Sequence, residues 1–208
     1  RLGCARRRAA LGDAMTLEVL RADAREARPW KNGGGATWEI ATHPPGADLA
    51  NFDWRVSLAV VETGGPFSTF PGVERLMLVL DGELELRITG GERLILDEAS
   101  AAAEFPGDAE VVAATPAAPV ADLNLMVRRG RFTGVLERRR ISGQAAVICQ
   151  DVTFILARQG GLGVALGGER RELGPGDALR VDHARGALLR LRLATPDEVV
   201  IAHVNAAR

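Results

Sequence analysis

The chain has 208 residues, of which 47% are hydrophobic and 25% are charged, and its formal net charge is −1. This length allows one large domain or two small ones with a buried core. No apolar run approaches the roughly 18–20 residues that span a bilayer, and the charge balance disfavours the phosphate-neutralising surface that nucleic-acid binding needs. We therefore expect neither a membrane nor a nucleic-acid partner.

The first fourteen residues differ in composition from the rest. They contain four arginines and one aspartate, and Met15 then opens a more regular pattern. We interpret residues 1–14 as an extension and Met15 as the natural start, which leaves 22 basic and 26 acidic residues and a net charge of about −4. Cys4 lies in the extension, so Cys149 has no partner for an intrachain disulfide. This cysteine usage predicts a reducing, cytoplasmic setting.

Short strands are predicted along most of the chain. Leu84, Leu86 and Ile88 alternate with polar residues, and turn-forming residues recur every eight to twelve positions. Helix propensity is adequate only over residues 20–28. The pattern predicts an all-β sandwich or barrel. The candidate strands are 36–42, 52–61, 74–80, 83–89, 92–96, 110–114, 121–128, 131–137, 143–149, 152–157, 161–166, 169–173, 177–181, 187–194 and 198–204.

A faint internal repeat predicts two similar halves. Residues 82–93 and 161–170 both read as a strand, a Gly-Gly-Glu-Arg turn and a second strand. Residues 174–177 form a Gly-Pro-Gly-Asp turn of the kind found in cupin barrels. We expect two β-barrels or sandwiches, divided into 15–137 and 138–208. The alternative is that any all-β protein offers such hairpins. The arginines at 138–140 are interpreted as a solvated linker rather than an anion patch.

The segment 28–40 carries the densest signal for binding. It contains Trp30, Lys31, Asn32 and three successive glycines, Gly33, Gly34 and Gly35, and all three tryptophans of the chain fall between positions 30 and 54. Glycine runs are poor core segments because they add conformational entropy and no packing. We expect the backbone here to turn tightly or to approach a ligand closely.

Polar residues share faces of the neighbouring strands, because side chains alternate along a strand. Three such pairs are Arg55 with Ser57, Thr37 with Glu39, and Asp122 with Asn124. Burying two polar side chains in a barrel interior costs free energy unless they are paired or bound to a ligand. An arginine among them offers a planar fork for a carboxylate. The alternative is that these faces point to solvent.

Arg75 has two interpretations as well. It lines the same pocket, or it pairs with Glu74 on a surface strand.

Metal and nucleophilic chemistry have little support in the sequence. Only three histidines occur, at 43, 183 and 203, and the stretch 71–82, where metal-binding cupins supply ligands, has none. Cys149 lies in an apolar run, and no Gly-x-Ser-x-Gly elbow or P-loop is present. We expect no metal, no cofactor and no assignable catalytic residue.

Four blocks of residues follow one another in order along the chain. They are Pro29-Trp30-Lys31-Asn32-Gly33-Gly34-Gly35-Ala36-Thr37, Phe52-x-Trp54-Arg55-Val56-Ser57, Gly65-Pro66-Phe67-Ser68-x-Phe70-Pro71-Gly72 and Asp122-Leu123-Asn124-Leu125-Met126. In order and spacing these blocks resemble the HutD/Ves family. The resemblance implies a cytoplasmic bicupin, with two cupin-like (RmlC-like) jelly-roll barrels that lack the usual metal-binding histidines. It also implies a link to bacterial histidine utilisation, through binding of a pathway intermediate such as urocanate or formylglutamate.

We therefore expect a regulatory protein that binds a small carboxylated metabolite. The carboxylate of urocanate would meet Arg55, its imidazole Asp122 or Asn124, and its planar part Trp30 or Phe70. The expected ligand-binding residues are Trp30, Lys31, Asn32, Gly33, Gly34, Thr37, Glu39, Arg55, Ser57, Phe70, Arg75, Asp122 and Asn124.

Two other functions stay open. One is a metal-independent cupin isomerase or hydrolase with Glu39 or Asp122 as general base. The other is a structural or regulatory partner protein. A homodimer through exposed sheet edges is a further expectation.

Overall fold

The computed structural model describes residues 14–91, 93–115 and 119–208, and its regular elements there are all β-strands. The predicted extension thus lies, apart from Ala14, outside the described residues. Nothing in the described ranges forms a helix long and apolar enough to cross a membrane. The helix considered over 20–28 is absent, because these residues form a turn that leads into a short strand. The all-β prediction is confirmed.

Nineteen strands follow one another along the described ranges. They are β1 (Thr16–Leu20), β2 (Ala27–Pro29), β3 (Gly35–His43), β4 (Trp54–Val61), β5 (Gly65–Pro66), β6 (Val73–Asp81), β7 (Leu84–Ile88), β8 (Arg93–Leu96), β9 (Ala103–Pro106), β10 (Val111–Ala114), β11 (Val120–Arg128), β12 (Phe132–Ile141), β13 (Gln144–Ile148), β14 (Val152–Ala157), β15 (Leu162–Leu166), β16 (Glu169–Leu173), β17 (Ala178–Asp182), β18 (Leu188–Leu193) and β19 (Asp197–Ala206).

These strands form four antiparallel sheets. In what we call the N-terminal sandwich, a six-stranded sheet in the order β2-β3-β4-β11-β6-β9 faces a four-stranded sheet in the order β5-β10-β7-β8. In the C-terminal sandwich, a five-stranded sheet in the order β1-β17-β14-β19-β12 faces a four-stranded sheet in the order β13-β18-β15-β16. The described strands form open sheets, so the expected closed barrels are not confirmed.

Three of the four apolar clusters found among the described residues hold these layers together. One fills each sandwich, and the third lies between the five-stranded and six-stranded sheets. The fully buried Trp54 lies in that third cluster and packs edge-on against Phe154 of the other sandwich. The two large sheets therefore share a continuous apolar layer, whose burial is the main favourable term in folding.

The two sandwiches have matching connectivity. The repeated hairpins, β7 with β8 and β15 with β16, occupy the same places at the end of the two four-stranded sheets. The expected division after residue 137 does not coincide with the layers, however. Strand β1 pairs with β17, and β12 runs across residue 137 and pairs with β19 along its whole length. The C-terminal sandwich therefore uses strands from both expected halves.

The arginines at 138–140 belong to β12 and not to a solvated linker. Arg138 is largely buried, donates to the Val79 carbonyl at 2.7 Å and pairs with Glu198 at 3.1 Å. The linker interpretation was wrong because residues 138–140 pair with β19 and Glu198 supplies a counter-charge for Arg138.

Candidate ligand pocket

The N-terminal sandwich contains a pocket of about 540 Å³, which we call the ligand pocket. Its floor comes from β4, β11 and β6, neighbouring strands of the six-stranded sheet, and its rim from residues 28–32 and 66–70. The lining residues are Arg28, Pro29, Trp30, Lys31, Asn32, Thr37, Leu49, Arg55, Ser57, Ala59, Pro66, Phe67, Ser68, Phe70, Arg75, Met77, Asp122, Asn124 and Met126.

Strand register explains why the floor is polar. Arg55, Met126 and Arg75 lie side by side on the three strands, and the next inward-facing row is Ser57, Asn124 and Met77. The alternate residues on the same strands, such as Trp54 and Leu125, point to the opposite face of the sheet. There they pack toward the five-stranded sheet and join the apolar layer between the sandwiches. Alternation thus separates a binding face from a packing face on the same three strands.

Arg55 is held in place by two protein partners. Its Nε donates to Glu39 Oε2 at 2.9 Å and its Nη1 donates to Ser57 Oγ at 3.1 Å, while only 7% of the residue is exposed. The same carboxylate oxygen lies 3.9 Å from Arg28 at the rim. These bonds use the Nε hydrogen and one Nη1 hydrogen, so the two hydrogens of Nη2 and the second one of Nη1 can still donate to a ligand. Glu39 therefore orients Arg55 from outside the pocket lining.

Arg75 is enclosed by aromatic rings. Its guanidinium carbon lies 5.1 Å from the ring centres of Phe67 and Phe105 and 5.7 Å from that of Phe70. Its Nη2 donates to Asn124 Oδ1 at 3.1 Å. Cation–π contacts with desolvated arginine stabilise the charge, so the cage keeps Arg75 in the floor and ties the loop at 67–70 to it.

The buried charges of the floor shift one another's pKa values. Desolvation is the largest effect on Arg75 and lowers its pKa to about 10, against the attraction of Asp122. Desolvation also raises the pKa of the Asp122 carboxyl to about 7, although Arg75 and a hydrogen bond from Asn124 favour its charged form. Asp122 Oδ1 accepts from Asn124 Nδ2, whereas Oδ2 and Arg75 Nε have no hydrogen-bond partner among the described residues. Near neutral pH, Asp122 is thus poised between its acid and its carboxylate.

The glycine run shapes the rim rather than lining the ligand pocket. Gly33 has a φ of +70° and donates to the Trp30 carbonyl at 3.0 Å, and Gly34 donates to the Asn32 side chain at 3.0 Å. At Gly35 a Cβ would lie 2.2 Å from the Val60 carbonyl oxygen, so only glycine fits there. This turn directs the Trp30 ring into the rim.

Trp30 is fixed on two sides. Its indole nitrogen donates to Thr37 Oγ1 at 2.8 Å, and its ring packs edge-on against Phe67 with centroids 6.3 Å apart. A flat apolar surface of this kind suits a planar or aliphatic ligand body beside the arginines.

Most of the residues predicted from the sequence meet here. Ten of the thirteen line the ligand pocket. The other three do not: Gly33 and Gly34 form the rim turn, and Glu39 bonds to Arg55. Arg75 lines the pocket, and the Arg75–Glu74 surface pair does not form, since Glu74 instead lies 3.6 Å from Arg129. Sequence reasoning missed nine lining residues, among them Phe67 and Met77. Phe67 lies in a quoted motif and could have been added, whereas Met77 depends on long-range register.

Other chemistry-bearing groups lie apart from this pocket. Within the described ranges no three His, Cys, Asp or Glu side chains are arranged to hold a metal ion. Cys149 is a buried free thiol, and burial raises its pKa. His203 shares a hydrogen bond with Thr153, and burial lowers its pKa.

Comparisons with known proteins find relatives along most of the chain. The family model described as HutD matches residues 22–201. An uncharacterized 21.2 kDa protein from the hutC 3′ region of Pseudomonas putida is 33% identical over 175 residues, which are 80% of this chain and 87% of that protein. Protein Ves of Cronobacter sakazakii is 35% identical over 144 residues, which are 67% and 70% of the two chains.

Solved structures give the same picture. A conserved protein of unknown function from Pseudomonas aeruginosa PAO1 has a TM-score of 0.85 and 32% identity, covering 91% of this chain and 99% of that one. HutD from Pseudomonas fluorescens SBW25 has a TM-score of 0.76 and 27% identity, covering 93% and 100%. The bacterial pirin YhhW of Escherichia coli, at a TM-score of 0.62 and 13% identity over 91% of this chain and 100% of that one, shares the fold alone. The architecture is cupin-like.

Proposed function

The chain belongs to the HutD family, and we propose that it is a regulatory protein that binds a small carboxylated metabolite in the ligand pocket. The link to histidine utilisation rests on the family and on the position of the Pseudomonas putida relative in the hutC 3′ region. The proposed ligand is an intermediate of histidine breakdown, either urocanate or formylglutamate.

One observation carries this proposal: Arg55 is buried, is oriented by Glu39 and Ser57, lines the ligand pocket, and has no bond from its Nη2 to any described residue. A guanidinium is expensive to bury, and its fork matches a carboxylate. Arg75 is a poorer anchor because its charge is already enclosed by rings and linked through Asn124 to Asp122.

The charges at the rim favour the same class of ligand. Arg28 and Lys31 line the entrance, and Asp122 with its raised pKa contributes less than a full negative charge near neutral pH. The surplus of positive charge raises the local concentration of a small anion. The Trp30 ring and the amide of Asn124 then offer a flat surface and a polar contact for the rest of the molecule.

Isothermal titration calorimetry with urocanate, formylglutamate and histidine tests the proposal. We expect saturable binding of at least one carboxylate, and a loss of tenfold or more in affinity for Arg55→Ala, since a charge-assisted hydrogen bond is removed. Arg28→Ala is the matched control: it also removes one cation, but from the exposed rim, and we expect a smaller loss. Wild-type affinity in a folded Arg55→Ala protein would remove Arg55 from the site.

A second function, a metal-independent isomerase or hydrolase, draws support from Asp122. Its carboxyl is fully buried, has a pKa raised to about 7 and keeps Oδ2 without a partner among the described residues, which are properties of a general base. Glu39 fits this role less well because its carboxylate is paired with Arg55. Product formation from the same intermediates that is abolished by Asp122→Asn would support the enzyme function. The absence of turnover would favour the binding function.

Two further assignments accompany this proposal. The matching strand order of the sandwiches supports a bicupin in which each sandwich corresponds to one cupin unit. The unpaired thiol of Cys149 fits a cytoplasmic location.

A further inference from the structure

The strand β13 differs from every other edge strand of the described sheets. A sheet edge presents unpaired backbone groups, and proteins protect such edges with charged residues or proline. Seven of the eight edge strands formed by the described residues follow this rule. They are β1 with Glu18, β2 with Arg28 and Pro29, β5 with Pro66, β8 with Arg93, β9 with Glu104 and Pro106, β12 with Glu137 and three arginines, and β16 with Glu169, Arg170, Arg171 and Glu172. The sequence of β13, Gln-Ala-Ala-Val-Ile, has neither a charge nor a proline.

The hydrogen bonds of β13 show which backbone groups are left open. Gly143 and Cys149 flank β13, and both form hydrogen bonds with β18 or its adjoining turns. The Gly143 carbonyl accepts a bond at 2.8 Å, the Cys149 amide donates one at 2.9 Å, and the Cys149 carbonyl accepts one at 2.8 Å. Because successive residues of a strand direct their backbone groups to opposite sides, Gln144, Ala146 and Ile148 direct theirs away from β18. Among the described residues only the Ala146 carbonyl has a bond on that side, a 3.3 Å contact from Arg139.

Apolar side chains mark the end of the same edge. Ile148 is 59% exposed, the largest value among the exposed large hydrophobic residues described, and its cross-strand neighbour Leu188 is 47% exposed. The two side chains lie together on the outward face of the four-stranded sheet. An open backbone edge and an apolar pair thus coincide at one place.

We propose that β13 pairs antiparallel with β13 of a second copy of this chain, about a two-fold axis at Ala146. In this register Gln144 of each copy lies opposite Ile148 of the other, so the open donors and acceptors of both edges meet. Arg190 lies beside Ala146, and Arg192 beside Gln144, within each sheet. Across the axis the two copies' Arg190 residues are three strand spacings apart, about 14 Å, where solvent screens the repulsion.

A second copy fits this edge better than a charged strand because β13 is neutral and its outward side chains at the axis are alanines. The result is a continuous eight-stranded sheet made from two four-stranded sheets. Pairing through one five-residue strand buries less than the roughly 1,000 Å² of a stable interface, so the dimer forms reversibly and its population rises with protein concentration. Arg139 competes for the Ala146 carbonyl and therefore limits the association.

Analytical ultracentrifugation of the full chain over a wide concentration range tests this inference. We expect a concentration-dependent monomer–dimer equilibrium that Ala146→Lys abolishes, because two lysines would face each other at the axis. Ala146→Ser, which adds a polar group without charge, should retain it, and Arg139→Gln should strengthen it. A wild-type protein that stays monomeric at every concentration, or a dimer unaffected by Ala146→Lys, would overturn the inference.

Hydrogen exchange distinguishes strand pairing from other contacts. With increasing concentration the amides of Gln144, Ala146 and Ile148 should gain protection, whereas those of Ala145 and Val147, which already face β18, should not change. Uniform protection, or none, along β13 in a concentration range that contains dimer would rule out this edge as the interface.

Discussion

Replacement of Asp122 by asparagine should change how the stability of the protein depends on pH. Asp122 is fully buried, and desolvation raises its pKa from 3.8 to about 7. In the unfolded chain this carboxyl ionises near its ordinary pKa of about 3.9. Between pH 4 and 7 the unfolded state therefore releases a proton that the folded state retains, so the wild-type protein loses stability relative to Asp122→Asn as the pH rises through this range.

The size of this effect follows from the pKa difference. At about 1.4 kcal/mol per pH unit, a rise from 3.8 to about 7 corresponds to roughly 4 kcal/mol. The stabilisation that comes from the protonated Asp122 is complete below about pH 4 and declines between pH 4 and 7. Above about pH 7 the difference in unfolding free energy between the two proteins is constant. The ionisation of Asp122 alone therefore changes the free energy of unfolding by a large part of its typical total of about 5–15 kcal/mol.

Urea unfolding at closely spaced pH values, followed by tryptophan fluorescence, measures the difference. Asp81→Asn removes an exposed carboxylate whose backbone lies opposite Ala121 on the neighbouring strand, and it serves as the control. We expect the wild-type protein to lose stability relative to Asp122→Asn from pH 4 to 7, and no comparable trend for Asp81→Asn. A difference that stays constant over this range, or that grows in favour of the wild type, would refute the assignment of a protonated Asp122.

Two further predictions concern the rim. Trp30→Phe should retain ligand binding within a few-fold but lose most of the fluorescence change on titration, because its indole lines the pocket; an unchanged signal would mean that the ligand does not reach this ring. Gly35→Ala should destabilise the protein by roughly 1–3 kcal/mol in thermal or urea unfolding, since the new Cβ would meet the Val60 carbonyl oxygen. Gly65→Ala, whose Cβ would meet nothing closer than 4.0 Å, is the control and should be nearly neutral.

Local patterns in the sequence predicted the polar floor of the ligand pocket. The alternation of Arg55 and Ser57 with apolar neighbours, and of Asp122 and Asn124 with leucines, placed these four side chains on common faces. The structure brings both pairs to the same pocket because β4 and β11 are neighbours in one sheet. Period-two alternation is a property of the strand itself, so it is readable without knowledge of the fold.

The features that depended on distant pairing could not be read in this way. Nothing local indicates that β1 lies beside β17, or that β12 runs across the expected division between the halves. The role of Glu39 depended on the same kind of information. Its shared face with Thr37 suggested a ligand contact, but pairing of β3 with β4 brings its carboxylate to Arg55 instead. One sequence contains the periodicity of each strand but not the register between strands.

A crystal structure of the protein with formylglutamate or urocanate bound tests the central claim most directly. We predict a ligand carboxylate in the ligand pocket, with an oxygen at hydrogen-bond distance from Arg55 Nη2, about 2.7–3.2 Å, and Glu39 and Ser57 still bonded to the same guanidinium. A carboxylate bound to Arg75 instead, or a ligand outside the N-terminal sandwich, would contradict the account.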